Sequence, residues 1–147
     1  MEQRYEALRL GNQLCFPVYL CAKELTRRYQ PMLDEIGLTY TQYVVMMYLW
    51  EVGSASAGDA SRTLLLDPST LTPVLKKLEQ KGFLNRTRDP ADERSLIITL
   101  TESGAALREK ALDIPARMGS CLGLSESEAR ALTGLIGKVL DHLEKEK

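Results

Sequence analysis

The sequence predicts a mainly α-helical protein with a small β-hairpin, an α+β fold of the winged helix-turn-helix type. Apolar residues recur every three or four positions over most of the chain, which is the period of a helix with one buried face. After Gly82 the pattern changes to two short strands separated by a charged turn. Three helices and this hairpin follow one another in the order of a winged helix, and further helices flank them at both ends.

The first helix is expected to be bent near its start and to end near residue 30. Its apolar face carries Leu8, Leu14, Val18, Ala22, Leu25 and Tyr29. Pro17 lacks a backbone donor and predicts a kink or a loosened turn beside Cys15. Gln30-Pro31 is expected to end the helix, because the residue before a proline disfavours the helical conformation, and residues 34–37 are typical of a turn.

Two shorter helices are predicted next. Residues 41–51 are apolar nearly all round, which predicts a buried helix that ends at Gly53. Residues 54–58 are small and predict a flexible loop, and residues 59–66 predict a short helix.

The fourth helix is predicted over residues 70–81. The segment Asp67-Pro68-Ser69-Thr70 is a strong helix-start signal, and Gly82 is typical of a helix end. Pro73 is compatible with a start at Ser69 or Thr70, because the N–H groups of the first turn have no partner within a helix.

The hairpin and the last helices follow. Residues 83–88 and 95–100 predict two strands, and residues 89–94 between them form a charged tip. A helix is predicted from about residue 101 to residue 112, with an interruption or a bend at Ile114-Pro115. Residues 125–128 (SESE) form a capping box that begins the last helix. Its apolar stripe is Ala129, Leu132, Ile136, Val139 and Leu143.

Length and composition are those of one globular domain. The chain has 147 residues, of which 44% are apolar and 27% charged. The sequence contains no run of about 18 uncharged apolar residues and no signal-peptide pattern, so we expect a cytoplasmic protein without a membrane partner. The formal net charge of −1 does not indicate nucleic-acid binding, which must be judged from local clusters.

Most kinds of catalytic and cofactor site find no support in the sequence. His142 is the only histidine, so neither a histidine-based triad nor a zinc cluster is expected. The phosphate-binding patterns G-x-x-x-x-G-K and G-x-G-x-x-G do not occur. We therefore expect a non-enzyme without a cofactor or a metal. One enzymatic alternative stays open, a thiol peroxidase that uses Cys15.

The fourth helix and the hairpin carry side chains suited to DNA. A helix-turn-helix protein presents the N-terminal half of its second helix to base edges, and basic residues farther along contact phosphates. The helix supplies Ser69, Thr70, Thr72, Lys76 and Lys77, and the hairpin supplies Arg86, Arg88 and Arg94. An acidic neighbour, Asp92 or Glu93, is expected to pair with Arg94 and fix its guanidinium. By composition alone, the same residues equally suit a solvated surface.

A family resemblance decides between these interpretations. Residues 71–79 (LTPVLKKLE), 82–84 (GFL), 86–94 (RTRDPADER) and 100–104 (LTESG) resemble the MarR family of winged-helix regulators. The D-x-R wing tip followed by L-T-x-x-G is a specific combination, and the match covers nearly the whole chain. The resemblance implies a homodimeric repressor of a pseudo-palindromic operator in double-stranded DNA. Residues 1–36 and 102–147 would form the dimerisation helices, and residues 38–101 the DNA-binding part.

The first helix resembles one branch of that family. Residues 12–16 (NQLCF), with Tyr19, Tyr29 and residues 38–43 (LTYTQY), resemble the organic-hydroperoxide-resistance repressors (OhrR type). The resemblance implies that an organic hydroperoxide oxidises Cys15 and that the repressor then releases its operator. It also implies that the hydroxyls of Tyr29 and Tyr40 hydrogen-bond the Cys15 sulfur.

Elementary chemistry agrees with this role for Cys15. Only a thiolate attacks a peroxide, and a free thiol is mostly protonated at neutral pH, so a sensor needs donors aimed at its sulfur. Tyr19 lies one turn from Cys15. Tyr29 lies fourteen residues along, roughly 21 Å away on a straight helix, and reaches Cys15 only from the other subunit or across a fold of the chain. The alternative is that Cys15 is a small buried apolar residue.

The other two cysteines receive different interpretations. Cys121 is expected in a loop between glycines, and its position resembles that of the resolving cysteine in the two-cysteine members of the branch. The resemblance implies an intersubunit disulfide between Cys15 and Cys121. An idle loop thiol stays open as the alternative. Cys21 is expected to serve packing.

Two further functions without redox chemistry stay open. A MarR-type repressor of this fold would release DNA on binding a phenolic or other aromatic ligand. Such a pocket would be lined by Tyr5, Tyr19, Tyr29, Tyr40, Tyr43 and Trp50. A plain helical interaction module, by contrast, would show no salt-dependent affinity for DNA.

Overall fold

The computed structural model of the chain describes residues 2–146 and has the expected fold class, mostly helical with a small antiparallel sheet. Within these residues, seven α-helices and three strands follow two short 3₁₀ segments, Glu2–Leu8 and Leu10–Asn12. In chain order they are α1 Cys15–Asp34, α2 Tyr40–Val52, β1 Ser54–Ser56, α3 Ala57–Leu64, α4 Pro68–Gln80, β2 Leu84–Arg88, β3 Leu96–Leu100, α5 Glu102–Ala111, α6 Ile114–Leu122 and α7 Glu126–Lys145. The chain forms two compact units, one up to Leu112 and one from Asp113 onwards.

The start and the end of α1 differ from the prediction. The helix begins at Cys15, so Pro17 lies in its first turn, where a missing N–H costs no helical hydrogen bond and requires no kink. The predicted end at Pro31 is wrong, because α1 continues to Asp34. Met32 and Leu33, which follow the proline, are buried in the core. Burial of these side chains outweighs the one hydrogen bond that the proline removes.

Helix α2 agrees with the prediction, and the loop after it does not. Thr39 and Gln42 form a capping box at its start, and Gly53 ends it with a φ of +76°. The predicted loop over residues 54–58 is wrong. Its first half is β1, which pairs antiparallel with β3, and Ser56 then caps α3 by accepting the N–H of Asp59.

Helix α4 begins earlier than predicted. Pro68 is its first residue, so Pro73 lies in the second turn and not in the first. The explanation that Pro73 stays within the first turn is therefore wrong. The carbonyl of Ser69, four residues before Pro73, loses its helical donor, and Ser69 is exposed, so water can replace that donor.

The sheet has the strand order β1–β3–β2, and the predicted hairpin forms its larger part. Leu84 pairs with Leu100, and Arg86 pairs with Ile98. Leu84 and Ile98 are completely buried, which places one face of the hairpin base in the core. The base of this hairpin, the wing, is thereby fixed on the helices, and residues 90–94 at its tip are exposed.

A close approach of α5 to the hairpin explains the glycine of the L-T-x-x-G segment. Thr101 caps α5 by accepting the N–H of Gly104 at 3.0 Å, and the Gly104 carbonyl accepts the indole N–H of Trp50 at 2.8 Å. A Cβ atom on Gly104 would lie 1.9 Å from the backbone carbonyl oxygen of Phe83. Only glycine therefore fits at this position.

The second unit consists of α6 and α7. The expectation that Cys121 lies in a loop is wrong, because α6 continues through Gly119 and ends only at Gly123, whose φ is +66°. The predicted capping box of α7 is confirmed, with Ser125 and Glu128 bonded to each other's backbone N–H. No described side chain of α7 is buried within the single chain.

Candidate nucleic-acid interface and thiol sites

Helix α4 separates its core residues from the side chains predicted to contact DNA. Leu71, Leu75 and Leu78 are buried on one face. The predicted contact residues of this helix are all exposed, namely Ser69, Thr70, Thr72, Lys76 and Lys77. The apolar spacing of three and four residues leaves the hydroxyls and the two ammonium groups on the outer face. Phosphates and base edges could reach this face without rearrangement of the core.

Arg86 of the wing is bound to the same helix. Its Nε and guanidinium NH2 lie 3.0 Å and 2.9 Å from Oε2 of Glu79, and its backbone N–H donates to Oε1 at 3.1 Å. These hydrogen bonds hold the pKa of the Glu79 carboxyl below its usual range. The charge of Arg86 is thus partly neutralised within the protein, and the ion pair fixes β2 against α4.

The tip of the wing is stabilised by aspartate side chains that bond the backbone. The Asp89 carboxylate accepts the N–H of Ala91 at 2.8 Å, and the Asp92 carboxylate accepts the N–H of Arg94 at 3.0 Å. The expectation that an acidic side chain pairs with the Arg94 guanidinium is therefore wrong. Within the described part of the chain, that guanidinium forms no ion pair. Arg88 donates to the Glu93 carbonyl at 2.7 Å and so steadies the opposite side of the turn.

The tyrosines of α1 and α2 pack on one another. The ring centroids of Tyr29 and Tyr40 are 5.0 Å apart, and those of Tyr29 and Tyr43 are 6.0 Å apart. The ring centroids of Tyr43 and Trp50 are 6.3 Å apart. Burial, and then the neighbouring Tyr40, raise the pKa of Tyr29 above its ordinary value. The Tyr29 hydroxyl is therefore neutral at physiological pH and can donate a hydrogen bond.

The single chain does not bring Cys15 to these tyrosines. Cys15 begins α1, whereas Tyr29 lies fourteen residues farther along the same continuous helix, roughly 21 Å away. Cys15 is exposed, contrary to the alternative that it is a buried apolar residue, and Tyr19 beside it is also exposed. Among residues 2–146 of one chain, the Cys15 sulfur has no hydrogen-bond partner.

The two other thiols are exposed as well. Cys21 does not serve packing within the single chain, because it lies on the exposed surface of α1. Cys121 lies in the last turn of α6, and its thiol donates to the Arg117 carbonyl at 3.3 Å. An accessible thiol on a helix can react with an oxidised partner.

Sequence reasoning missed the contacts of two polar residues at the C-terminal end of α4. Glu79 holds Arg86, seven residues away across the turn from α4 to β2. Lys81 donates a hydrogen bond to the turn between α1 and α2, whereas the sequence alone suggested a solvated side chain at the helix end. Glu79 carries no local signal that separates it from any surface charge. The capping pattern of Thr39 and Gln42 could have marked the acceptor side of the Lys81 contact.

The described residues hold no group of three or more histidine, cysteine, aspartate or glutamate side chains placed to bind a metal ion. In the same part of the chain, every helix is too short or too polar to cross a bilayer.

Comparison with known proteins places the chain among transcriptional regulators. Residues 27–111 match the family model of the transcriptional regulator SarA/Rot. The organic hydroperoxide resistance transcriptional regulator of Bacillus subtilis is 44% identical over 92% of this chain and 90% of its own length. The regulator SarZ of Staphylococcus aureus is 37% identical over 92% of this chain and 95% of its own.

Solved structures of similar proteins add DNA-bound and disulfide forms. Reduced AbfR bound to DNA has a TM-score of 0.79 and 36% identity, covering 97% of this chain and 99% of its own. A disulfide form of AbfR has a TM-score of 0.69 at 36% identity and covers 97% of each chain. Another AbfR structure, from Staphylococcus epidermidis, is 37% identical with a TM-score of 0.74, covering 97% of this chain and 98% of its own.

Proposed function

Because the chain belongs to the MarR family of winged-helix transcriptional regulators and to its organic-hydroperoxide-resistance branch, we propose that it is a homodimeric DNA-binding repressor that releases its operator when an organic hydroperoxide oxidises Cys15. The observation that carries the DNA-binding half is the exposed hydroxyl and lysine face of α4 beside the wing. The sensing half is supported by the exposed Cys15 and by the pair Tyr29 and Tyr40.

The DNA-binding half of the proposal assigns separate tasks to helix and wing. Ser69, Thr70 and Thr72 in the first turns of α4 would contact bases, and Lys76 and Lys77 would contact phosphates. At the wing, Arg94 and Arg88 would reach the neighbouring phosphates or the minor groove. Arg86 would act indirectly, because its ion pair with Glu79 holds the wing against α4. Asp92 would act through the turn that it stabilises.

Replacing Arg94 with alanine is expected to weaken operator binding by about 1–3 kcal/mol, which is roughly 5- to 150-fold in Kd. The guanidinium is free of internal ion pairs in the described chain, so its removal leaves the protein's own hydrogen bonds intact. The measurement is a gel-shift titration with the operator. Arg108→Ala, which removes the same charge from α5, serves as the control and is expected to bind normally. If Arg94→Ala binds the operator as tightly as wild type, the wing does not contact DNA through Arg94.

The homodimer is supported by apolar side chains that one chain leaves in water. Helix α7 is 20 residues long, and its large apolar side chains are exposed. They are Leu132, Leu135, Ile136, Val139, Leu140 and Leu143. Soluble monomers rarely expose a contiguous apolar surface of this length. A second copy would cover it, and the two-fold axis would match the two halves of a pseudo-palindromic operator.

The dimer also provides the proposed sensor site. Tyr29 and Tyr40 of one subunit would donate hydrogen bonds to the sulfur of the partner subunit's Cys15, and Tyr19 would lie one turn from that sulfur. The Cys15 thiolate attacks a peroxide oxygen, the O–O bond breaks, and the alkoxide takes up a proton and leaves as an alcohol. Cys15 is left as a sulfenic acid. Because both chains supply groups, oxidation would change how the subunits sit on DNA.

The decisive experiment compares DNA binding by reduced, hydroperoxide-treated and re-reduced wild-type protein. We expect salt-dependent binding in the reduced state, loss of binding after treatment, and recovery with a thiol reductant. Undiminished binding after stoichiometric oxidation of Cys15 would contradict the sensor. Release by a phenolic ligand without oxidation would favour the aromatic-ligand regulator, and sustained peroxide turnover would favour a thiol peroxidase.

We further propose that Cys121 resolves the oxidised thiol. The thiolate of the partner subunit's Cys121 attacks the sulfenic sulfur, hydroxide leaves and is protonated to water, and a disulfide joins the two chains. The exposure of both thiols supports this step, as does the disulfide form known for AbfR. Such a bond requires the two Cα atoms to come within about 7 Å.

After mild treatment with hydroperoxide, wild-type protein is expected to run as a covalent dimer on a non-reducing gel. Cys121→Ser is expected to run as a monomer, to oxidise still at Cys15, and to proceed more readily to the sulfinic acid, because the sulfenic acid lacks its resolving thiol. Cys21→Ser, which removes another exposed thiol, is the matched control and should still form the dimer. A monomer band in oxidised wild type would contradict the resolving role.

A further inference from the structure

The C-terminal end of α4, the proposed recognition helix, is joined by hydrogen bonds to the turn between α1 and α2. Lys81 directly follows α4, and its Nζ donates to the Gly37 carbonyl at 2.6 Å and to Oε1 of Gln42 at 2.9 Å. These acceptors lie 44 and 39 residues earlier in the chain. Hydrogen bonds from a charged donor are stronger than those between neutral groups. The ammonium therefore joins two segments that are distant in sequence.

Gln42 is at the same time part of the cap of α2. The residue is 3% exposed, and its Oε1 also accepts the N–H of Thr39 at 3.1 Å. In return, Oγ1 of Thr39 accepts the N–H of Gln42 at 3.3 Å. One amide oxygen thus holds both the start of α2 and the end of α4. A movement of the cap would change the bond to Lys81.

The sensor tyrosines are attached to the same cap from its other side. Tyr40 follows Thr39 and is the first residue of α2, and its ring packs against Tyr29 of α1 at 5.0 Å. The position of Tyr40 and the anchoring of Lys81 therefore depend on the same few backbone groups. This connection is short and polar, and it is partly buried.

We propose that Lys81 is a positioning residue, which couples the Tyr29–Tyr40 pair to the recognition helix and holds that helix in its DNA-binding pose while the sensor is reduced. The coupling half of this inference rests on the proposed function. The positioning half does not, because it concerns only the reduced protein.

A direct phosphate contact is the competing role for Lys81, and salt dependence separates the two. A lysine that neutralises a phosphate releases a counterion, so its loss lowers the slope of log K against log salt by about one unit. In the positioning role, the ammonium of Lys81 stays on the oxygens of Gly37 and Gln42 and contacts no phosphate, so its loss would leave the slope unchanged. Lys77, one turn earlier, has an exposed side chain and is the matched comparison.

The experiment measures operator Kd for wild type, K81M, K81R and K77M, each reduced and after hydroperoxide treatment, over a range of salt. For K81M we expect reduced-state affinity to fall about tenfold with an unchanged salt slope. After oxidation, K81M should bind the operator with the same affinity as oxidised wild type. The ratio of oxidised to reduced Kd is therefore smaller in K81M than in wild type. K81R keeps a charged donor and should restore the ratio. K77M should weaken both states alike and lower the salt slope.

Amide exchange provides a second measurement on the folded reduced proteins. The Thr39 N–H, whose acceptor is shared with Lys81, should exchange faster in K81M and not in K77M. If reduced K81M binds the operator as tightly as wild type, or if its salt slope is lowered, the positioning role is wrong. If the ratio of oxidised to reduced Kd in K81M equals that of wild type, the coupling role is wrong. If wild type itself keeps DNA after oxidation, the proposed sensor fails, and the salt and exchange results still decide the positioning role.

Discussion

Replacing Gly104 with alanine is expected to destabilise the protein by about 3 kcal/mol or more. The added Cβ would meet the Phe83 carbonyl oxygen at 1.9 Å, and this oxygen also accepts the N–H of Thr101 at 3.1 Å. Because the obstacle is backbone and not a flexible side chain, the clash is relieved only if α5 moves away from the wing. That movement would break the bond from Trp50 to the Gly104 carbonyl.

This expectation is tested by measuring the Tm of two single variants, Gly104→Ala and the control Gly119→Ala. A loss of about 3 kcal/mol corresponds to a lower Tm by roughly 10 °C in a chain of this size. Gly119 is also helical, but a Cβ there meets nothing within 4 Å of the single chain. Alanine at Gly119 is expected to be neutral or to stabilise by up to about 1 kcal/mol. Similar Tm values for the two variants would mean that the close approach at Gly104 is not rigid.

Local chemistry predicted the elements whose ends are set by local bonds. The capping box at Ser125 and the end of α2 at Gly53 lie where the sequence places them. The change of period after Gly82 predicted both hairpin strands. In each case the deciding interaction joins residues that are near in sequence, so the pattern is visible there.

Elements set by distant partners were not predictable in this way. Strand β1 is the tripeptide Ser-Ala-Ser, which is typical of a loop, and becomes a strand only because β3 pairs with it. Helix α1 passes Pro31 because the residues after the proline are buried by the rest of the fold. Neither the pairing nor the burial has a local signature.

In the candidate site, too, the features set by local spacing were predictable and those set by distant partners were not. The exposed face of α4 follows from the spacing of Leu71, Leu75 and Leu78, which the sequence shows directly. The engagement of Arg86 by Glu79 and of Lys81 by Gln42 depends on how helices and strands meet. The resemblance implied that Tyr29 and Tyr40 both donate to the Cys15 sulfur, but it did not predict that their rings pack on each other between α1 and α2 with centroids 5.0 Å apart.

The largest functional effect is expected from Cys15→Ser, which should bind the operator like reduced wild type and lose the response to hydroperoxide altogether. Oxidation of the wild type should raise its Kd by about 5- to 150-fold, the usual range of coupling between two sites. Serine differs from cysteine only in the reacting atom, and its hydroxyl is not oxidised by a hydroperoxide. Position 15 is exposed at the start of α1, so the substitution changes no core contact.

Cys21→Ser is the matched control, since Cys21 is an exposed thiol six residues farther along the same helix. Fluorescence anisotropy with the operator, before and after treatment, gives both affinities, and mass spectrometry of the same samples locates the added oxygen. If the wild type releases DNA and Cys15→Ser does so equally, another group is the sensor. If Cys21→Ser alone is insensitive, the roles of the two thiols on α1 are exchanged. If wild type and Cys21→Ser release the operator after oxidation and Cys15→Ser does not, Cys15 is the thiol that controls DNA binding. This is the thiol to which Tyr29 and Tyr40 of a second subunit are proposed to donate hydrogen bonds.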